Sequence, residues 1–194
     1  MQKLKNSLTT LLFVGSVLLA AFALLFLGFR LFYRAAYPMD YAEAVVPQAR
    51  AQGLDPHLVY AVIRTESGFR PDATSAVDAR GLMQLTPDTY YWVRYRLGEL
   101  GSGDPDILYD PQENIRYGVA NLSLLLQRFE NPREALAAYH AGWGSVTRWL
   151  EDSRYSCDGL NLDDIPFGDT NAYVNKVLRT AEIYKRLYPG QPYF

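Results

Sequence analysis

The sequence predicts a mostly α-helical domain over residues 40–194, preceded by one N-terminal transmembrane helix within residues 1–39. Three observations carry that expectation. A capping residue is followed directly by proline at Asp55-Pro56, Thr86-Pro87, Asp110-Pro111 and Asn131-Pro132. Such a cap accepts from free backbone N–H groups, and proline at the first helical position has no N–H to satisfy. No stretch alternates apolar and polar residues strongly enough for a strand, and no solenoid-length repeat appears. Finally, residues 8–29 form a 22-residue run without a charge, between Lys3 and Lys5 on one side and Arg30 and Arg34 on the other. That length spans a bilayer as a helix.

Taken in order, the apolar run reads as an uncleaved anchor. Ala21-Phe22-Ala23 would suit a signal-peptide cleavage site, but the run continues six residues beyond it. Residues 30–39 then form a short tether. Basic residues flank both ends, so charge specifies orientation only weakly. Asp40 is a candidate cap for a helix to Gln52, with Pro47 either kinking it or marking a later start, and Gly53 closing it. The proline-capped helices follow at about 56–66, 87–97, 111–129 and 132–141. Glu113 and Glu134 stand three residues after their caps, the spacing of capping boxes. A short helix near 145–150 and a long amphipathic one at 170–188 complete the chain before Pro189. Residues 69–81 are rich in turn formers and have room for a small hairpin. The segments 98–109 and 151–168 are long for connections, and either frame a groove or run over the surface.

Composition excludes several functions. A net charge of −2 and a pI near 5.7 give no electrostatic footprint for nucleic acid. Cys157 is the single cysteine, so no internal disulfide and no thiolate cluster can form, and with only two histidines a zinc site is not expected. No cofactor is implied. Fifteen tyrosines and three tryptophans suit a sugar-binding surface, although most aromatics in any domain are core.

One residue stands out chemically. Leu58, Val59, Val62 and Ile63 make an apolar stripe, and Glu66 falls on it in the last turn before Gly68. Burial and the negative end of the helix dipole both oppose ionisation there. A carboxylic acid that keeps its proton near neutrality is a general acid. A buried Glu satisfied by structural hydrogen bonds is the competing reading.

The residues after Glu66 decide between them by resemblance. The pattern E-S-x-F-x-P from Glu66, then Ser75, then Gly81-Leu82-Met83-Gln84-Leu85-Thr86-Pro87, resembles the catalytic segment of the lytic transglycosylases related to goose-type lysozyme. Ala137-Ala138-Tyr139-His140-Ala141-Gly142-Trp143-Gly144 is similar to a second block of that family, and Ile165-Pro166-Phe167-Gly168-Asp169-Thr170-Asn171-Ala172-Tyr173-Val174 to a third. The blocks cover roughly residues 40–188. The resemblance implies a lysozyme-like helical fold with at most a small β-hairpin. It also implies an enzyme that cuts peptidoglycan glycan strands between N-acetylmuramic acid and N-acetylglucosamine without water.

By the same resemblance, Glu66 is the catalytic acid, and Ser75 and Gln84 hydrogen-bond the sugar beside the scissile bond. Tyr139 orients the carboxyl or the sugar, and Met83 and Tyr173 line the groove. Read alone, Ser75 is a turn residue, Gln84 a helix-flanking polar group, and Tyr139, Met83 and Tyr173 core packing. Gly81 and Gly142 fit positions of close backbone approach or positive φ. Two residues depart from the family pattern: His140 replaces the usual Asn, and Asp169 the usual Glu. Asp169 either falls short of the longer side chain's partner or serves only as the N-cap of the last helix. Both bear on substrate contacts.

The leading expectation is a membrane-anchored lytic transglycosylase whose catalytic domain faces the cell wall outside the membrane. A hydrolytic muramidase on the same fold is the first alternative and would need a second carboxylate or a positioned water. Asp72 and Asp78 read as turn residues rather than as that partner. A non-catalytic glycan-binding or assembly module is the second alternative.

Overall fold

Each proline-capped start becomes a helix in the computed structural model, which describes residues 2–190. α1 runs Gln2–Ala36, α2 Ala42–Ala51, α3 Pro56–Glu66, α4 Pro87–Arg96, α5 Pro111–Phe129, α6 Pro132–Ala141, α7 Trp143–Leu150 and α8 Gly168–Leu187. Asp55 accepts from the His57 N–H, Thr86 from Thr89, Asp110 from Gln112 and Glu113, and Asn131 from Arg133. No strand forms among the described residues. The 69–86 segment instead holds two isolated antiparallel bridges, Thr74 to Arg80 and Arg80 to Leu85. The fold is mostly helical, as expected.

The chain divides into two compact units, residues 1–38 and 39–194. In the first, α1 continues unbroken through Arg30 and Arg34, so most of the expected tether is helical. Its Leu11–Ala36 portion is long and apolar enough to cross a membrane, by length and composition.

In the second unit, α3 is the central element. Val59, Tyr60, Ala61, Val62 and Ile63 are all fully buried, so the helix is enclosed on nearly every side rather than along one stripe. It packs against α8 and α2, while α5 packs on α2 and α6, and α6 on α7 and α8. The Tyr60 ring stacks on Tyr184 of α8 at 5.5 Å. A second cluster, around Leu85, Tyr90, Val93, Leu108 and Tyr117, joins α4 to α5 beneath the 69–86 segment.

Several local expectations are corrected. Asp40 does not cap α2; the N-cap is Tyr41 in a left-handed conformation with no side-chain bond, and Pro47 lies inside the helix. Glu113 and Glu134 do not complete capping boxes, because the cap N–H groups already bond elsewhere, Asp110 to the Ile107 carbonyl and Asn131 to that of Phe129. Glu113 accepts from Arg116 instead. Glu134, 1 % exposed, accepts from the Leu162 N–H at 2.8 Å and ties the 151–168 connection to α6. The 98–109 connection contains a 3-10 turn, Pro105–Tyr109, and is pinned through Glu99, which accepts from Arg94, Arg116 and Tyr117. Neither connection lines the cleft described next. α8 starts two residues earlier than expected, and Asp169 is an exposed residue of its first turn, not its cap.

Candidate active site

Glu66 is the last residue of α3, and its position follows from how that helix ends. Ser67 caps it, and the buried Ser67 hydroxyl donates to the Leu82 carbonyl at 2.8 Å, locking the helix end to the 69–86 segment. Gly68 and Phe69 then turn the chain through positive φ, at 60° and 67°. The segment folds back under its own polar groups. Ser75 Oγ accepts from the N–H groups of Val77 and Ala79, and Gln84 Nε2 donates to the carbonyls of Ala73 and Gly81. Gln84 itself adopts φ 48°, a left-handed conformation that a non-glycine residue holds only where its surroundings enforce it.

The enforcing residue is Asn114 of α5, which the sequence reading missed. It is fully buried, accepts from the Met83 N–H at 2.7 Å, and donates to the carbonyls of Arg80 and Leu108. Asn121 lies two turns further along the same face and is also buried. Two asparagines seven residues apart on an otherwise apolar face were the available signal.

A cleft of about 650 Å³ opens over this framework. Glu66, Ser75, Gln84, Tyr139 and His140 line it, together with Asn121, Asp88, Trp92 and Trp143. The other three expected site residues do not. Met83 is fully buried in the core and offers the site only its backbone: its carbonyl accepts the Tyr139 hydroxyl at 2.7 Å. Tyr139 therefore braces the 69–86 segment instead of bonding the Glu66 carboxyl. It is Tyr173 that meets the carboxyl, its hydroxyl donating to Glu66 Oε1 at 2.6 Å. Tyr173 is buried at 8 % exposure and is not a groove-lining residue. Asp169 stays outside the cleft, its carboxylate accepting from the Thr170 N–H. His140 shares a hydrogen bond with Thr170 and lies 4.6 Å from the Tyr173 ring, joining the end of α6 to the start of α8.

The electrostatics follow from this packing. Glu66 is partly buried, and burial pushes its carboxyl up to about 7. The Tyr173 hydroxyl, and Lys176 one helical turn further along α8, pull in the opposite direction. Both phenols, Tyr139 and Tyr173, are held well above the ordinary tyrosine range by burial and by the nearby Glu66 charge, so each remains a hydrogen-bond donor. Asp72, Asp78 and Asp169 are exposed and outside the cleft; Asp78 is paired with Arg80. Asp88 is the other carboxylate that lines the cleft among the described residues.

Tyr173→Phe tests the Glu66 environment. The lost donor favoured the charged carboxylate, so the Glu66 pKa is expected to rise further, by about 0.5–1 unit. The alkaline limb of the kcat/KM–pH profile should move up with it. A profile that stays in place or shifts towards acid would show that the hydroxyl does not act on Glu66.

Residues 44–158 match the Transglycosylase SLT domain family. The chain is 33 % identical over 157 residues to the soluble lytic murein transglycosylase of Salmonella typhimurium, covering 80 % of this chain and 24 % of that protein. It is 32 % identical to membrane-bound lytic murein transglycosylase C of Pectobacterium atrosepticum, covering 75 % of this chain and 47 % of that protein. Among solved structures, it is similar to an inactive Glu-to-Gln mutant of the lytic transglycosylase Slt from Pseudomonas aeruginosa, with a TM-score of 0.67 and 35 % identity over 81 % of this chain and 26 % of that one. The 70 kDa soluble lytic transglycosylase of Escherichia coli gives a TM-score of 0.71 at 28 % identity, over 83 % of this chain and 26 % of that one. The chain thus spans about a quarter of the soluble relatives and about half of the membrane-bound one. With the helical fold, the cleft and this match over more than half its length, the chain belongs to the Transglycosylase SLT domain family.

Proposed function

We propose that this protein is a peptidoglycan lytic transglycosylase that cleaves the N-acetylmuramic acid–N-acetylglucosamine bond and leaves 1,6-anhydro-N-acetylmuramic acid ends. The observation that carries the reading is Glu66: a carboxyl facing the cleft, with a pKa of about 7 and a hydrogen bond from Tyr173. That pKa suits a group that must first donate a proton and then take one back.

In the first step Glu66 protonates the glycosidic oxygen, the C1–O bond breaks, and positive charge develops at C1. The departing sugar carries the proton as its hydroxyl. In the second step the muramic C6 hydroxyl attacks C1 and its proton passes to the Glu66 carboxylate, which restores the acid. Tyr173 and Lys176 stabilise the carboxylate between the steps. The intramolecular nucleophile replaces a second protein carboxylate, since well-oriented attack of this kind contributes about 7–11 kcal/mol. Gln84 uses its amide N–H groups inside the 69–86 segment, so its carbonyl oxygen is the group left to accept from a sugar. The soluble and membrane-bound murein transglycosylases among the relatives support this substrate class.

Hydrolysis is the second reading, and one observation favours it. Asp88 brings another carboxylate to the cleft and is the residue a hydrolase would use as base or nucleophile. Mass spectrometry of digested cell wall separates the two: anhydro ends lack a reducing aldehyde, and their absence would remove the transglycosylase reading.

The apolar portion of α1 and the membrane-bound relative support a single-pass anchor, and a cell-wall substrate requires residues 40–194 to lie on the cell-wall side. The full-length chain should stay in the membrane fraction after a high-salt wash. A soluble mature form beginning near residue 24 would contradict this.

A further inference from the structure

We infer that Trp143 is a stacking platform for a pyranose ring, fixing where the glycan chain lies along the cleft. This rests on the glycan reading of the same cleft. Trp143 is 45 % exposed and lines the cleft, so part of a large apolar ring is open to it. It stands at a sharp junction: Gly142 before it has φ 83° and ψ 140°, and Trp143 is the first residue of α7. The side chain is pre-organised without being buried. The Arg128 guanidinium lies 4.7 Å from the ring centroid, and Arg128 in turn donates to the Thr147 hydroxyl. Thr147 donates back to the Trp143 carbonyl at 3.0 Å, closing the loop of contacts around α7. One face of the indole is thereby engaged by a cation, while the exposed remainder borders the cleft.

Trp92 repeats the arrangement from α4. It is partly buried, lines the cleft, and has the Arg96 guanidinium 5.9 Å from its ring. The third tryptophan, Trp149, is buried against Phe167 and lies outside the cleft. Thus both tryptophans that reach the cleft are backed by arginine. The axial C–H faces of β-linked N-acetylhexosamines are the apolar surface such rings fit, and Ser75, Asn121 and Asp88 are polar residues that line the same cleft.

The test uses full-length Glu66→Gln protein in detergent micelles, so that binding is read without turnover. It is titrated with N-acetylglucosamine oligomers of three to six units by calorimetry and by tryptophan fluorescence. Adding Trp143→Ala should weaken binding about tenfold, and Trp143→Phe should recover most of it. With Glu66 intact, Trp143→Ala should raise KM for peptidoglycan far more than it lowers kcat, because stacking serves ground and transition states alike. Affinity within about twofold of the parent in Trp143→Ala, with only thermal stability reduced, would assign the ring to holding Arg128 and overturn the inference. The outcome is independent of product chemistry: if the cell-wall products carry reducing ends, the transglycosylase reading falls while the binding comparison still stands or fails by itself.

Discussion

Glu66→Gln is expected to lower kcat on peptidoglycan by about 10⁴-fold or more while leaving the fold intact, since losing general acid–base catalysis from a single step costs about 10²–10⁴-fold. In the proposed mechanism one group serves both steps, which puts the loss at or beyond the upper end of that range. The amide keeps the shape of the carboxyl and can still accept from Tyr173. The same variant carries a stability signature. The folded-state pKa of Glu66 is raised from 4.5 to about 7, so the native protein binds this proton more tightly than the unfolded chain does. Its stabilising contribution is complete below pH 4.5 and is lost as pH rises through about 7. The glutamine does not titrate. The variant should therefore match the wild type near pH 4 and exceed it at pH 8 by up to roughly 3 kcal/mol. Full activity in Glu66→Gln, or a stability difference that does not change with pH, would place the acid elsewhere.

Gly81→Ala is expected to be the most disruptive single-methyl change in the helical domain. Gly81 has φ 72°, and an added Cβ would lie 2.1 Å from the Leu108 carbonyl oxygen and 2.3 Å from Asn114 Nδ2. The left-handed conformation alone costs about 1 kcal/mol for alanine. Displacing Asn114 would also break the hydrogen bonds to Met83, Arg80 and Leu108 that shape the 69–86 segment. Together these predict a loss of about 3–5 kcal/mol and a fall in Tm of about 10 °C or more. Gly53→Ala is the internal comparison: its φ is 67°, but no atom lies within 4 Å of the added Cβ. It should cost only the conformational part. Equal thermal shifts for the two variants would mean that the segment yields freely and that Asn114 does not hold it.

The helix starts were legible in the sequence because they rest on local patterns, whereas the cleft residues beyond Glu66 were named only through the family resemblance. Cap-proline pairs set the starts of α3 to α6, and the apolar positions ahead of Glu66 placed it on an enclosed face. What was not legible depended on contacts between distant segments. Tyr173 reaches Glu66 across 107 residues, and nothing near either residue encodes that bond. Tyr139 and Tyr173 sit in equally family-like blocks, so resemblance could not say which hydroxyl meets the carboxyl. The Met83 side chain lies in the core, and it is the backbone carbonyl that bonds Tyr139. Glu134 has the spacing of a capping box, yet burial sends it to the Leu162 N–H instead. Asp88 follows a helix-starting proline and nothing local marks it; only the folded chain brings it to the cleft.

The central claim, that Glu66 works with the substrate's own hydroxyl instead of with water, is tested most directly by digesting peptidoglycan in H₂¹⁸O and weighing the new muramic ends. The account predicts anhydro ends with no heavy oxygen, both in the wild type and in Asp88→Asn. Heavy oxygen at those ends, lost together with activity in Asp88→Asn, would identify a hydrolase that uses Asp88 and contradict it.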